Sequence, residues 1–134
     1  MKNRIKESDL DFEYTGSTYT EEALLKKGQQ AISAAILQAR ISNTTIYGEY
    51  PNGYKFITDI YDNGMAEGVN DAGSHDSGNW SINHEKNTLQ LVWKKGWINT
   101  ETRAYEVNGN IEFYDVDTGN WRTTFKQFHN WNEA

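Results

Sequence analysis

From Thr44 onward apolar and polar residues alternate with a period of two; before it the spacing is different. Residues 44–128 break into short runs of β-branched and aromatic side chains, separated at near-regular intervals by turn-forming pairs. Those pairs are Asn52-Gly53, Asn63-Gly64, a Gly73–Gly78 loop, Glu85-Lys86-Asn87, Lys95-Gly96, Asn108-Gly109 and Thr118-Gly119. Asn-Gly suits the type I′ hairpin turn, whose two central residues both need positive φ. The spacing predicts eight strands, at about 44–50, 54–61, 65–70, 79–84, 88–94, 98–107, 110–116 and 121–128. Every link is of hairpin length, so the sheet should be antiparallel and up-and-down. Eight strands can close into a barrel, which removes the exposed edges. The sole proline, Pro51, falls in the first turn, where no ladder N–H is lost.

Upstream, Thr18 to Arg40 reads as one helix, about residues 20–40. Thr18 and Glu21 have capping-box spacing, and Glu21 and Glu22 suit the positive end of the helix dipole. Gly28 costs that helix about 1 kcal/mol against alanine. Its second half, AISAAIL, is apolar nearly all round and should be buried on more than one side. It either plugs the barrel or forms a homodimer interface through Ala31–Ala39. Residues 1–16 form a polar leader, in which Leu10, Phe12 and Tyr14 alternate with acids as in a short edge strand. The expected organisation is therefore leader 1–16 and a single domain 17–134. The fold class is mainly β, an antiparallel barrel or curved sheet with one N-terminal helix.

Alternation assigns a provisional inner face. It groups Leu89, Leu91 and Trp93; Trp80 and Ile82; Ile111 and Phe113; Phe56, Thr58 and Ile60. It also groups Arg103, Tyr105 and Val107, and on the last strand Trp121, Thr123 and Phe125. Strands 54–61 and 110–116 are apolar on both faces, so Ile57, Tyr61 and Tyr114 should lie under the helix or in an interface. Two charges, Glu67 and Arg103, fall on the inner face. A buried unpaired charge is very costly, so they either form an ion pair or occupy the rim, or Arg103 meets a ligand in an aromatic pocket. The candidate ligand-binding set is Phe56, Glu67, Trp80, Trp93, Arg103, Tyr105 and Phe113, because small-molecule sites combine apolar walls with a few placed polar groups.

Charge and composition narrow the chemistry. Thirteen basic against 19 acidic residues give a net charge of −6, and no basic stripe is present. Neither nucleic acid nor an anionic membrane surface is expected as a partner. With no cysteine, thiol catalysis, disulfides and Cys-based zinc sites are excluded. The N-terminus as written has no apolar signal segment, which leaves a cytoplasmic chain, or a secreted or periplasmic one from which a signal peptide was removed. His75, His84 and His129 show no metal-ligand spacing. In DAGSHDSGNW, residues 71–80, His75 lies beside Asp71 and Asp76, but the Gly, Ser, Asn and Asp content is that of a hairpin loop. No nucleophile elbow, Walker A or GxGxxG motif occurs. WKKGW, residues 93–97, reads as a strand entering a turn. Glu49, Asp59, Glu67, Glu112 and Asp115 are carboxylates that spacing alone cannot pair. No cofactor, metal or catalytic residue is expected.

One resemblance adds to this reading. Thr45–Gly48 (T-x-x-G), Gly53–Phe56, Gly64–Gly68, Gly78–Ile82 (G-x-W-x-v) and Leu89–Trp93 (L-x-l-x-W) resemble the pattern of small bacterial lipocalin-like, or calycin-like, barrel proteins of unknown function, over about residues 44–116. Those proteins often carry a cysteine pair and a signal peptide, absent here. In true lipocalins the Gly-x-Trp motif lies on the first strand, whereas here it is mid-chain. The resemblance implies a small barrel with a ligand cavity and carries over no catalytic residue. Three functions follow: non-enzymatic binding of a small apolar or aromatic ligand; a protein-interaction module such as an acidic inhibitor or immunity-type protein; or a small barrel enzyme using Glu67–Arg103 or a rim with His75.

Overall fold

The structure, a computed structural model, describes Leu10 and residues 12–95 and 99–132. Most of the leader (1–9 and 11), Gly96-Trp97-Ile98 and the last two residues lie outside that set.

Eight strands close into an antiparallel barrel in simple chain order. They are β1 (Thr44–Tyr50), β2 (Tyr54–Ile60), β3 (Met65–Asn70), β4 (His75–Asn83), β5 (Thr88–Trp93), β6 (Thr100–Val107), β7 (Asn110–Asp115) and β8 (Trp121–Asn130). β1 pairs with both β2 and β8, which closes the sheet. The turns have the expected chemistry: Asn108 and Gly109 both carry positive φ (54° and 84°), as a type I′ turn requires.

β4 starts four residues earlier than expected. The link before it is only Asp71–Ser74, because the Asn70 side chain accepts the N–H groups of Ala72 and Ser74, both at 3.0 Å, and tightens the turn. DAGSHDSGNW is therefore a turn running straight into a strand. Two glycines permit close approach between strands. A Cβ on Gly78 would lie 2.1 Å from the Val92 carbonyl oxygen, and one on Gly48 would lie 2.4 Å from that of Thr124.

The expected single helix is two. α1 (Glu21–Lys26) and α2 (Ala34–Ile41) are separated at Gly28, whose φ of 86° ends the first. Thr20, not Thr18, is the first N-cap, accepting from Ala23 N–H at 3.2 Å; Ser33 caps the second. The break sends the two pieces to different places. Ile32 N–H donates to the Ala104 carbonyl (2.7 Å), Ala34 N–H to the Asn87 side chain (2.8 Å), and α2 inserts Leu37 and Ile41 into the end of the barrel. α2 buries only the face of Ala34, Leu37 and Ile41; Ile36 is exposed.

Ile46, Ile60, Ala66, Trp80, Leu89, Ala104, Ile111, Phe113 and Phe125 pack with Leu37 and Ile41 of α2 in one interior cluster. The outer wall is buried too. Leu10, Ile57 and Val69 pack together with Phe12 and Tyr47, while Leu24 of α1 covers Tyr105, Val107 and Tyr114. The described part of the leader, Leu10 and residues 12–16, forms no strand. A closed barrel offers no edge to extend, so its described part crosses the wall held by side chains.

Three assignments of face change, on β3, β6 and β8; on β3 Ala66 packs in the interior, so Glu67 faces out. Ala104 faces the interior, so Arg103, Tyr105 and Val107 face out. On β8 the register shifts between Phe113 and Tyr114: Thr123 stands opposite Phe113 but Trp121 opposite Tyr114, so Arg122 is the extra residue of a bulge. Trp121 consequently packs outside with Tyr114 while Phe125 points in. A second bulge at Lys126 brings Phe128 back against the core.

Candidate functional site

α2 plugs one end of the barrel. At the other, where β1 ends and β6 begins, a cavity of about 50 Å³ lies between the sheet walls. Phe56, Leu89, Leu91, Trp93 and Phe125 give it an apolar lining, supplemented by Thr58, Thr100, Thr102 and Thr123. Tyr50 and Arg122 stand at its rim. The Tyr50 ring stacks on Phe56 (5.5 Å, 16°), and Tyr54, 43% exposed, leans on Tyr50 at 5.7 Å. Burial raises the Tyr50 pKa, so its hydroxyl is a neutral donor at ordinary pH.

Arg122 reaches the rim because of its bulge. Its Nε donates to Asp115 Oδ2 at 3.1 Å, and that carboxylate also accepts from the Thr100 hydroxyl (2.9 Å) and from Asp117 and Thr118 N–H. Burial raises the Asp115 pKa, but these hydrogen bonds outweigh it and hold the group below the usual carboxylate range. Beside the cavity, and sharing Thr100 and Arg122 with it, opens a polar cleft of about 530 Å³ bounded also by Gln90, Asn99, Glu101, Asp115 and Asp117.

Of the seven expected ligand residues, Phe56 and Trp93 line the cavity. Trp80 and Phe113 belong to the packed core, where Trp80 Nε1 donates to the Tyr61 carbonyl at 2.7 Å. Glu67, Arg103 and Tyr105 are on the outer wall. Glu67 accepts from the Tyr61 hydroxyl. Arg103 and Tyr105 both bond Glu21 of α1. Glu67 and Arg103 thus form no pair with each other, because β3 and β6 are not neighbours and each charge has a nearer partner. Sequence alternation misses Arg122, since nothing in the spacing marks a bulge. The threonines at alternate positions beside apolar residues are a signal that was there to be read.

The other carboxylates are structural. Register sets Glu49, Thr124, Glu112 and Tyr105 in one row across four outer strands. The segment before α1 runs over this row. Thr15 and Gly16 N–H donate to Glu49 (2.7 and 2.9 Å), Lys126 Nζ sits 3.1 Å from it, and the Ser17 hydroxyl donates to Glu112 (3.1 Å), which also accepts from Tyr114. Asp59 accepts from Thr45 at 2.6 Å. Asp76 fixes the turn after β5 by accepting Lys95 N–H at 2.9 Å. Lys94 and Lys95 are in that turn, as expected; Gly96 and Trp97 of the same motif lie outside the described residues.

His84 meets Gln38 at 2.9 Å and His129 packs edge-on to Tyr47, so the three histidines do not converge. His75 lies in a separate outer groove with Glu67, Lys94 and Lys95. Among the described residues no group of three or more His, Asp or Glu side chains is placed to hold a metal ion, and no helix is long and apolar enough to cross a membrane. No protein-family model matches the chain, and no curated protein matches it.

Proposed function

We propose that the protein is a non-enzymatic binder of small apolar or aromatic molecules, which enter a lipocalin-like barrel at the end opposite α2. One observation carries this reading: the core is packed against α2 but opens, at the other end, into an apolar cavity with Arg122, the one cation among its described lining residues, at the rim. Apolar walls with few placed polar groups are how such sites are built. Phe56 and Trp93 supply ring contacts, the threonine hydroxyls, whose protons go to Asp115 and to the carbonyls of Glu67, Leu89 and Glu49, supply small acceptors, and Arg122 takes the polar-contact role that alternation gave to Arg103.

The test is a phenol titration of the full chain, followed residue by residue by amide NMR. Shifts should concentrate at Leu91, Trp93, Thr100–Thr102 and Thr123–Phe125 and vanish in Leu91→Trp, which fills the cavity. Shifts confined to the outer wall, or persisting in that variant, would overturn the reading.

A homodimer through α2 is the second reading, favoured by the 58% exposure of Ile36 beside exposed Ala35 and Ala39. Sedimentation of wild type and Ile36→Glu distinguishes it: a dimer lost in the variant supports it, a monomer in both removes it. The aromatic interface foreseen on strands 54–61 and 110–116 has less support, since Ile57 and Tyr114 are buried by the chain's own N-terminal segment and α1.

A further inference from the structure

We infer that the ligand is amphipathic, with a small apolar or aromatic tail in the barrel and a neutral, hydroxyl-rich, sugar-like head in the adjoining cleft; this rests on the binding reading above. The first reason is size. Ligand sites usually offer roughly 300–1,000 Å³, whereas the apolar cavity offers about 50 Å³, room for only the leading part of a ring or a short branched tail. The rest of any ligand must lie outside the barrel. The second reason is continuity. Thr100 and Arg122 line both the cavity and the 530 Å³ cleft, so the two adjoin at the rim, where a molecule seated in the first would reach the second.

The third reason is the chemistry of the cleft. Gln90 and Arg122 bring N–H donors, while Glu101 and Asp117 bring carboxylate acceptors. A hydroxyl both donates and accepts, so a polyol uses every one of these groups. An anionic head would face Glu101, Asp115 and Asp117. A cationic head would have to pass Arg122, which stands at the junction. The positions are also held in advance. Thr100 and Arg122 are both tied to Asp115, and Glu101 accepts the Thr88 hydroxyl at 2.6 Å, so little side-chain freedom remains to be lost on binding.

The experiment compares four probes on the full chain by calorimetry and amide NMR: phenyl β-D-glucopyranoside, phenol, glucose and phenethylamine. The glucoside should bind about ten-fold or more tighter than phenol or glucose, as one or two added hydrogen bonds would give. Its shifts should span both the cavity amides and Glu101, Asp117 and Arg122. Asp117→Asn and Glu101→Gln should each weaken it toward the phenol value, while circular dichroism and the unfolding midpoint verify that both variants fold. If phenol shifts the cavity amides but the glucoside binds no tighter, the head assignment falls and the binding reading stands. If phenethylamine is the tightest probe, the head is cationic and the inference is wrong. If neither phenol nor the glucoside moves the cavity amides, both fall.

Discussion

Arg103 Nε lies 2.6 Å from Glu21 Oε2, joining the outer wall of the barrel to the first turn of the helix that covers it. The same carboxylate oxygen accepts the Tyr105 hydroxyl at 2.6 Å. The two partners differ in burial: the Arg103 side chain is 33% exposed and that of Glu21 only 9%. Removing one therefore does not mirror removing the other. Arg103→Met strands a buried carboxylate, and the expected cost is about 2–3 kcal/mol. Glu21→Gln leaves a guanidinium that water can reach and keeps one acceptor for Tyr105, so about 1 kcal/mol is expected. Urea unfolding of both variants checks the order; equal costs would show that burial does not decide the effect.

Acid should loosen this contact and the rim together. Burial raises the Glu21 pKa, but the Arg103 and Tyr105 hydrogen bonds outweigh it and the net shift is downward; Asp115 is also lowered. A carboxylate with a lowered folded pKa contributes its stability above the unfolded value and loses it as pH falls through the folded one. Unfolding midpoints should therefore be level above the ordinary glutamate value of 4.5 and drop below it. At the alkaline end burial, then Glu21, push Tyr105 up to about 12. A raised pKa gives stability that is intact below the ordinary tyrosine value of 10 and lost as pH rises toward 12. In Tyr105→Phe the alkaline slope should shrink; an unchanged slope would place it on other tyrosines.

Gly48 and Gly78 are needed for space. An alanine methyl at Gly78 meets Val92 backbone at 2.1 Å, and at Gly48 it meets Thr124 backbone at 2.4 Å and the Phe56 ring at 2.5 Å. Backbone on both sides of a closed sheet cannot swing away as a side chain can. Each Gly→Ala change should cost about 3 kcal/mol or more. Gly53→Ala, with open space around it but a φ of 84°, should cost less, about 1 kcal/mol. Denaturation midpoints of the three variants give the ranking.

The plug and the cavity should respond oppositely to a change in side-chain size. Leu37 is fully buried where α2 enters the barrel, so Leu37→Ala should cost about 2–5 kcal/mol. Leu91 borders empty space, and Leu91→Trp should leave stability within about 1 kcal/mol of wild type or raise it. Thermal melts check the pair.

Much of the barrel was legible because turn chemistry and strand period agreed along 85 residues, from 44 to 128. Alternation separates two faces but does not say which is inside when both are buried. Tyr105 and Val107 looked like core because they are core, of the outer layer under Leu24. Ala104, too small to attract notice, faces in against Phe113. The β8 bulges swap faces mid-strand, and a bulge leaves no mark in the residue pattern, so alternation places Trp121 inward and gives Arg122 no role. The helix break at Gly28 was visible as a cost but not as a stop, because what makes it worthwhile is tertiary: one piece covers the wall while the other plugs the end.

The most direct measurement is native mass spectrometry of the purified wild-type protein beside Leu91→Trp, under gentle and then denaturing conditions. The expected result is a mass excess on wild type alone, released on denaturation as a small amphipathic molecule. A mass excess of equal size on the variant, or bare wild type that also fails to take up phenol, would contradict a ligand seat in the open end of the barrel.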